Sequence, residues 1–133
     1  MLALALSAWA TSAAAECLLY EPSEVTLAGV VRYRTYAGPP NYDSIASGDR
    51  PERAAILELD SPVCVRSKQH DDLGINVPHD NIRLVQLVLL PSISRPSPDS
   101  KIAVTGSLSG AQTGHHRTRV LLYVRAIGAY ERR

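Results

Sequence analysis

The side chains best equipped for chemistry are two neighbouring histidines, His115 and His116, at the exit of a segment punctuated by Gly106, Gly110 and Gly114. Imidazole can donate or accept hydrogen bonds, take up a proton near neutral pH, or ligate Zn or Cu. His70, His79, Asp80 and Asp49 are the conceivable co-ligands. Adjacent residues on a regular strand point to opposite faces, so His115 and His116 could grip one ion only if the chain bent between them. The expectation is therefore no metal and no other cofactor, with one histidine bonded to a nearby carbonyl and the other in solvent. A second polar group, Asn41, Tyr42, Asp49 and Glu52, stands in the Gly- and Pro-rich stretch 38–52. If this stretch meets the turn 113–118, the six residues make a ligand-binding surface. Tyr42 would supply an amphipathic contact, the histidines hydrogen bonds, and the carboxylates would orient a hydroxyl-rich or basic partner. The competing reading has Asn41 and Asp49 capping turns and Tyr42 filling the end of the fold.

Catalysis is not expected. Gly106-Ser-Leu-Ser-Gly110 carries Leu108 where a nucleophile elbow needs serine, and no phosphate-binding loop is present. The pair Asp71-Asp72 lies in an aperiodic polar stretch, where solvation is the simpler fate. A hydrolytic site joining Asp49 or Glu52 to His115 is the less favoured reading.

The elements that must position these residues are strands. Val25, Leu27, Gly29, Val31 and Tyr33 alternate along 25–36, and Gly29 marks a bulge or bend that lets one strand serve both sides of a small barrel. Arg32 and Arg34 then fall on a solvated outer face. Further strands are expected over 54–65, with a jog at Ser61-Pro62, then over 82–90, and over 101–108 and 118–127, which form a closing hairpin. The piece 43–47 is expected to make one helical turn capped by Asp43. Five strands and a long bent first strand predict an all-β fold, a small five-stranded OB-like Greek-key barrel, with a two-sheet β-sandwich as the alternative.

Residues 1–15 form an apolar, Ala- and Leu-rich run that ends in Ala13-Ala14-Ala15, as expected of a signal-peptide core cleaved before Glu16, leaving residues 16–133 as a single domain; the absence of Lys or Arg before the run departs from the signal-peptide pattern. Export would put Cys17 and Cys64, the two cysteines of the chain, where a disulfide persists, and they are expected to be bonded. No other stretch is apolar enough for a transmembrane helix. A net charge of +1 gives no electrostatic argument for nucleic acid as a partner.

The motifs Gly38-Pro-Pro-Asn-Tyr-Asp-Ser-Ile, Gly48-Asp49-x-Pro51-Glu52, Pro62-Val-Cys-Val65, Val85-Gln-Leu87, Val104-Thr-Gly106 and Thr113-Gly-His-His-x-Thr118 resemble, in the same order, the bacterial secreted family known as domain of unknown function 4431. The resemblance implies export and a small β-fold, and no activity. Residues and resemblance together lead to the expectation of a periplasmic or secreted binding module that contacts a cell-envelope protein or glycan through its loops. A metal-binding or purely structural envelope stress protein is the alternative.

Overall fold

A computed structural model describes residues 16–130. The expected signal peptide, residues 1–15, lies outside the described residues, as does the end of the chain from 131 to 133. The strands are β1 Leu18–Leu19, β2 Glu24–Ala37, β3 Pro51–Arg66, β4 His79–Val88, β5 Lys101–Gly110 and β6 Val120–Ala129, with one 3-10 turn at Ile45–Ser47. The fold is all-β, and the five long strands are those expected from the alternation of apolar residues. β1 is an addition: two residues pair in parallel with the end of β3, Leu18 opposite Val65, beside the Cys17–Cys64 disulfide. That bond is the chemistry of an oxidising compartment.

The strands hydrogen-bond in the order β1-β3-β2-β5-β6-β4, and a further β3–β4 pairing returns the sheet on itself. The continuous ring β2-β3-β4-β6-β5 closes on itself as the expected barrel would and a sandwich would not, though it is not a regular barrel. A sandwich would divide the strands between two sheets. A regular five-stranded barrel would lack β1, and its ladders would be even. Here the β3–β4 ladder shifts register between Glu58 and Val63, the stretch that holds Ser61-Pro62, and again before Val65, and the β4–β6 ladder has three pairs.

Gly29 explains how β2 serves two neighbours. Residues 24–30 of β2 pair with β5 and residues 29–37 with β3, so the strand changes partners at Gly29 and Val30. A Cβ on Gly29 would lie 2.1 Å from the Glu58 carbonyl oxygen, so no side chain fits the crossing. Inside the ring, Val25, Leu27, Val31, Leu57, Val85, Val104, Leu108, Val120 and Leu122 form the buried core. The alternate face of β2 is solvated, and its arginines are neutralised: Arg32 and Arg34 both reach the Glu58 carboxylate, and Arg32 also reaches Asp99. No helix among the described residues is long and apolar enough to cross a membrane.

Candidate functional site

Loop 38–50 joins β2 to β3 and loop 111–119 joins β5 to β6; the two meet at one end of the ring. Each is organised from within. Asp49, 5% exposed, accepts hydrogen bonds from the backbone N–H groups of Asn41 at 2.9 Å, Asp43 at 2.8 Å and Ser44 at 2.9 Å. The N–H donors of Asp43, Ser44 and Asn41 outweigh burial and hold its carboxyl below the ordinary aspartate value. The helical turn is present, but its cap position is Ser44, with no side-chain cap bond, rather than Asp43. Asp49 closes the loop from the other side. Asp71 has the same role in loop 67–78, accepting from the N–H groups of Leu73, Ile75 and Asn76, rather than lying free in solvent.

The Asp49 anchor holds Tyr42 at φ 53°, a left-handed backbone conformation that costs a bulky residue roughly 1–3 kcal/mol. The Tyr42 ring rests on Gly114, where a Cβ would come within 2.9 Å of the ring. Its hydroxyl lies 3.1 Å from His115 Nε2, and His115 Nδ1 lies 2.7 Å from Glu52 Oε2. A carboxylate only accepts, so the neutral ring carries its proton on Nδ1 and donates to Glu52, which leaves Nε2 to accept from Tyr42. Arg117 Nη2 donates to Glu52 Oε1 at 2.9 Å. The Arg117 guanidinium also faces two rings, 5.0 Å from the Tyr36 centroid and 5.6 Å from that of Tyr42. Burial pushes the Glu52 carboxyl up, but hydrogen bonds from His115 and Arg117 prevail and leave it below the ordinary glutamate value.

Of the six residues anticipated, Tyr42, Glu52 and His115 therefore form one hydrogen-bonded row. Asn41 and Asp49 belong to the loop's internal scaffold. His116 faces its own loop: its Nδ1 accepts from the N–H groups of Gln112 at 2.8 Å and Thr113 at 3.3 Å. Burial first, then the neighbouring His115, lowers its pKa, in keeping with a neutral acceptor. Among the described residues, no three His, Cys, Asp or Glu side chains gather as a metal cluster.

Arg117 and Gln86 give no local signal of a site: an arginine in a polar loop looks solvated, and one glutamine in the apolar run Leu84-Val-Gln-Leu-Val88 reads as the outward face of a strand until its neighbours are known. Gln86 stitches the second loop to β4. Its side chain donates to the His115 carbonyl and accepts from Arg117 N–H, while Thr118 Oγ1 accepts from Gln86 N–H. The Thr113-Gly-His-His-x-Thr118 motif thus has a physical account: Gly114 seats Tyr42, His115 extends the row, His116 braces the turn and Thr118 ties it to the ring.

Residues 84–128 match the family model for a domain of unknown function (DUF4431). Over that segment the chain is similar to this family. The matched segment holds Gln86, His115, Arg117 and Thr118, whereas Tyr42 and Glu52 come from the strand and loop before it. No curated protein and no solved structure matches the chain.

A testable consequence concerns the Asp49 anchor of loop 38–50. Asp49→Asn keeps the size of the side chain but turns an NH2 toward backbone donors, so the amides of Asn41, Asp43 and Ser44 should exchange hydrogen faster. Because the native state favours the charged form, the stabilisation is full above the ordinary value of 3.8 and is lost as pH falls through the lower folded value. The gap in melting temperature between wild type and variant should therefore narrow in acid. A constant gap would show that the charge is not what holds the loop.

Proposed function

We propose that this protein is an exported, OB-like binding module that holds a cell-envelope glycan against the Tyr42–His115–Glu52 row. The observation that carries the reading is Tyr42 itself, kept in a strained backbone conformation by Asp49 with 37% of its surface open. Strain retained at an exposed aromatic is expected where presentation of the ring matters. Sugars offer an apolar face to an aromatic ring and hydroxyls to a carboxylate–imidazole pair, which this row combines. Fold analogy adds support. OB-type folds bind oligosaccharides and oligonucleotides with the loops between strands one and two and between strands four and five. Counted along the chain from β2, loops 38–50 and 111–119 hold those places.

The reading includes no chemical step. The row lies on an open surface, with 58% of the His115 side chain in solvent, and a water-excluding pocket is what an acid–base relay would need. The apolar Ala-rich leader ending in Ala13-Ala14-Ala15 and the disulfide support a periplasmic or secreted location, and mass spectrometry of envelope material should find a mature chain beginning at Glu16.

The binding test is a titration with a neutral chito-oligosaccharide, followed by amide NMR on wild type, Tyr42→Ala and His115→Ala. Shifts centred on residues 42 and 115, abolished in both variants while each keeps a cooperative melt, are expected. Silence in wild type toward every saccharide, as a protein partner would produce, or binding indifferent to both changes, would overturn the glycan reading.

A further inference from the structure

Beside the row, the ring opens. β4 and β6 run parallel, but their ladder begins only at Gln86 opposite Leu121. Before that point β4 pairs with β3 alone, so its other edge, from Asp80 to Leu84, faces a cleft of about 520 Å³. The far wall is the end of loop 111–119, Arg117 to Arg119.

The charge of this cleft is one-sided. Arg83 and Arg119 line it, both exposed, and neither side chain has an ion-pair or hydrogen-bond partner among the described residues. Arg117, which belongs to both the cleft and the row, has a side chain 9% exposed whose Nε lacks a hydrogen-bond partner. The one acidic wall residue, Asp80, is neutralised by Arg66 Nη2 at 2.6 Å. Three guanidinium groups with uncommitted donors, beside a strand edge with backbone N–H groups free of a second ladder, suit the oxygens of an anion.

Resting on the glycan reading above, we infer that this cleft is an anion subsite continuous with the Tyr42–His115 row, so that the glycan recognised is an acidic one. Arg117 is the hinge between the two parts, because the same side chain fixes Glu52 in the row and lines the cleft. A sugar ring on Tyr42 would direct its carboxylate or phosphodiester toward Arg83 and Arg119.

The test uses the whole exported chain and four probes: a neutral chito-oligosaccharide, an oligogalacturonate, a poly(glycerol phosphate) and an oligothymidylate. At least one of the two acidic non-nucleic probes should bind about tenfold more tightly than the neutral one, as two charge-assisted contacts allow. It should shift the amides of residues 80–84 and 117–119 together with 42 and 115. Which of the two does so distinguishes a carboxylate from a phosphate source. The exposed double variant Arg83→Gln with Arg119→Gln should keep its melt and bring the acidic probe down to the wild-type affinity for the neutral probe. Equal affinity for acidic and neutral probes, or an acidic probe indifferent to the double variant, overturns the anion subsite and leaves the row's reading standing. Shifts at 80–84 and 117–119 without any at 42 and 115 overturn the row's reading and the continuity inferred here. Preference for the oligothymidylate overturns the saccharide assignment altogether.

Discussion

Replacing Cys17 and Cys64 together by serine should lower the unfolding free energy by about 4 kcal/mol in the chain-entropy model, a drop in melting temperature on the order of 20 °C. The bond spans 47 residues of sequence, so it removes a long loop from the unfolded ensemble. It also acts on the folded side. β1 is only two residues long, and its pairing to β3 cannot persist unaided. Next to it Tyr20, buried in the core, donates its hydroxyl to the Val77 carbonyl at 2.6 Å and its N–H to the Arg66 carbonyl at 3.2 Å. Loss of the bond should therefore loosen the whole 16–23 segment together with loop 67–78. Denaturant melts of wild type with and without reductant, set beside the double serine variant, measure the effect. Reduced wild type and variant should coincide. A loss below about 1 kcal/mol would mean that the unfolded chain is already compact across this span.

Arg117→Ala should cost about 2–3 kcal/mol and, on the function proposed above, remove glycan binding. Breaking a buried ion pair by deleting one partner costs about 3–5 kcal/mol, and the lower figure reflects a Glu52 side chain still 24% exposed. The change leaves Glu52 with His115 as its one side-chain partner among the described residues and removes the cation that faces the Tyr36 and Tyr42 rings. Arg117→Lys should recover little, because an ammonium lacks the planar fork that stacks while it bonds. The pairing is isolated by a cycle: Glu52→Gln with Arg117→Met should be less destabilised than the two single changes summed. The sign with pH follows from the lowered Glu52 value. Its stabilisation is present above the ordinary 4.5 and lost as pH falls through the folded value, so wild type should lose more stability in acid than Arg117→Ala. Additive single changes with identical acid profiles would reduce Arg117 to a packing residue.

Local alternation determined the strands. Val25, Leu27 and Val31 recur every second residue because one face of β2 is buried, and Gly29 marked the bend because only an absent Cβ permits the approach of Glu58. The Gly- and Pro-rich stretches marked the loops for an equally local reason: they break that period. The two cysteines of the chain left one intramolecular pairing to make. What lay beyond reach was which distant segments close the ring and what each polar side chain then faces. Tyr42 and His115 are 73 residues apart, and Glu52 and His115 are 63 apart. Their contact depends on β4, already paired with β3, also pairing with β6 to close the ring, a long-range closure that no local pattern encodes. The same closure turned Asp49 inward, parted His115 from His116, buried Arg117 and left the start of β4 without a second neighbour. A polar residue in a loop has no preferred partner of its own; hydrogen-bond donors and acceptors brought to it by tertiary pairing decide whether it caps, binds or stays in water.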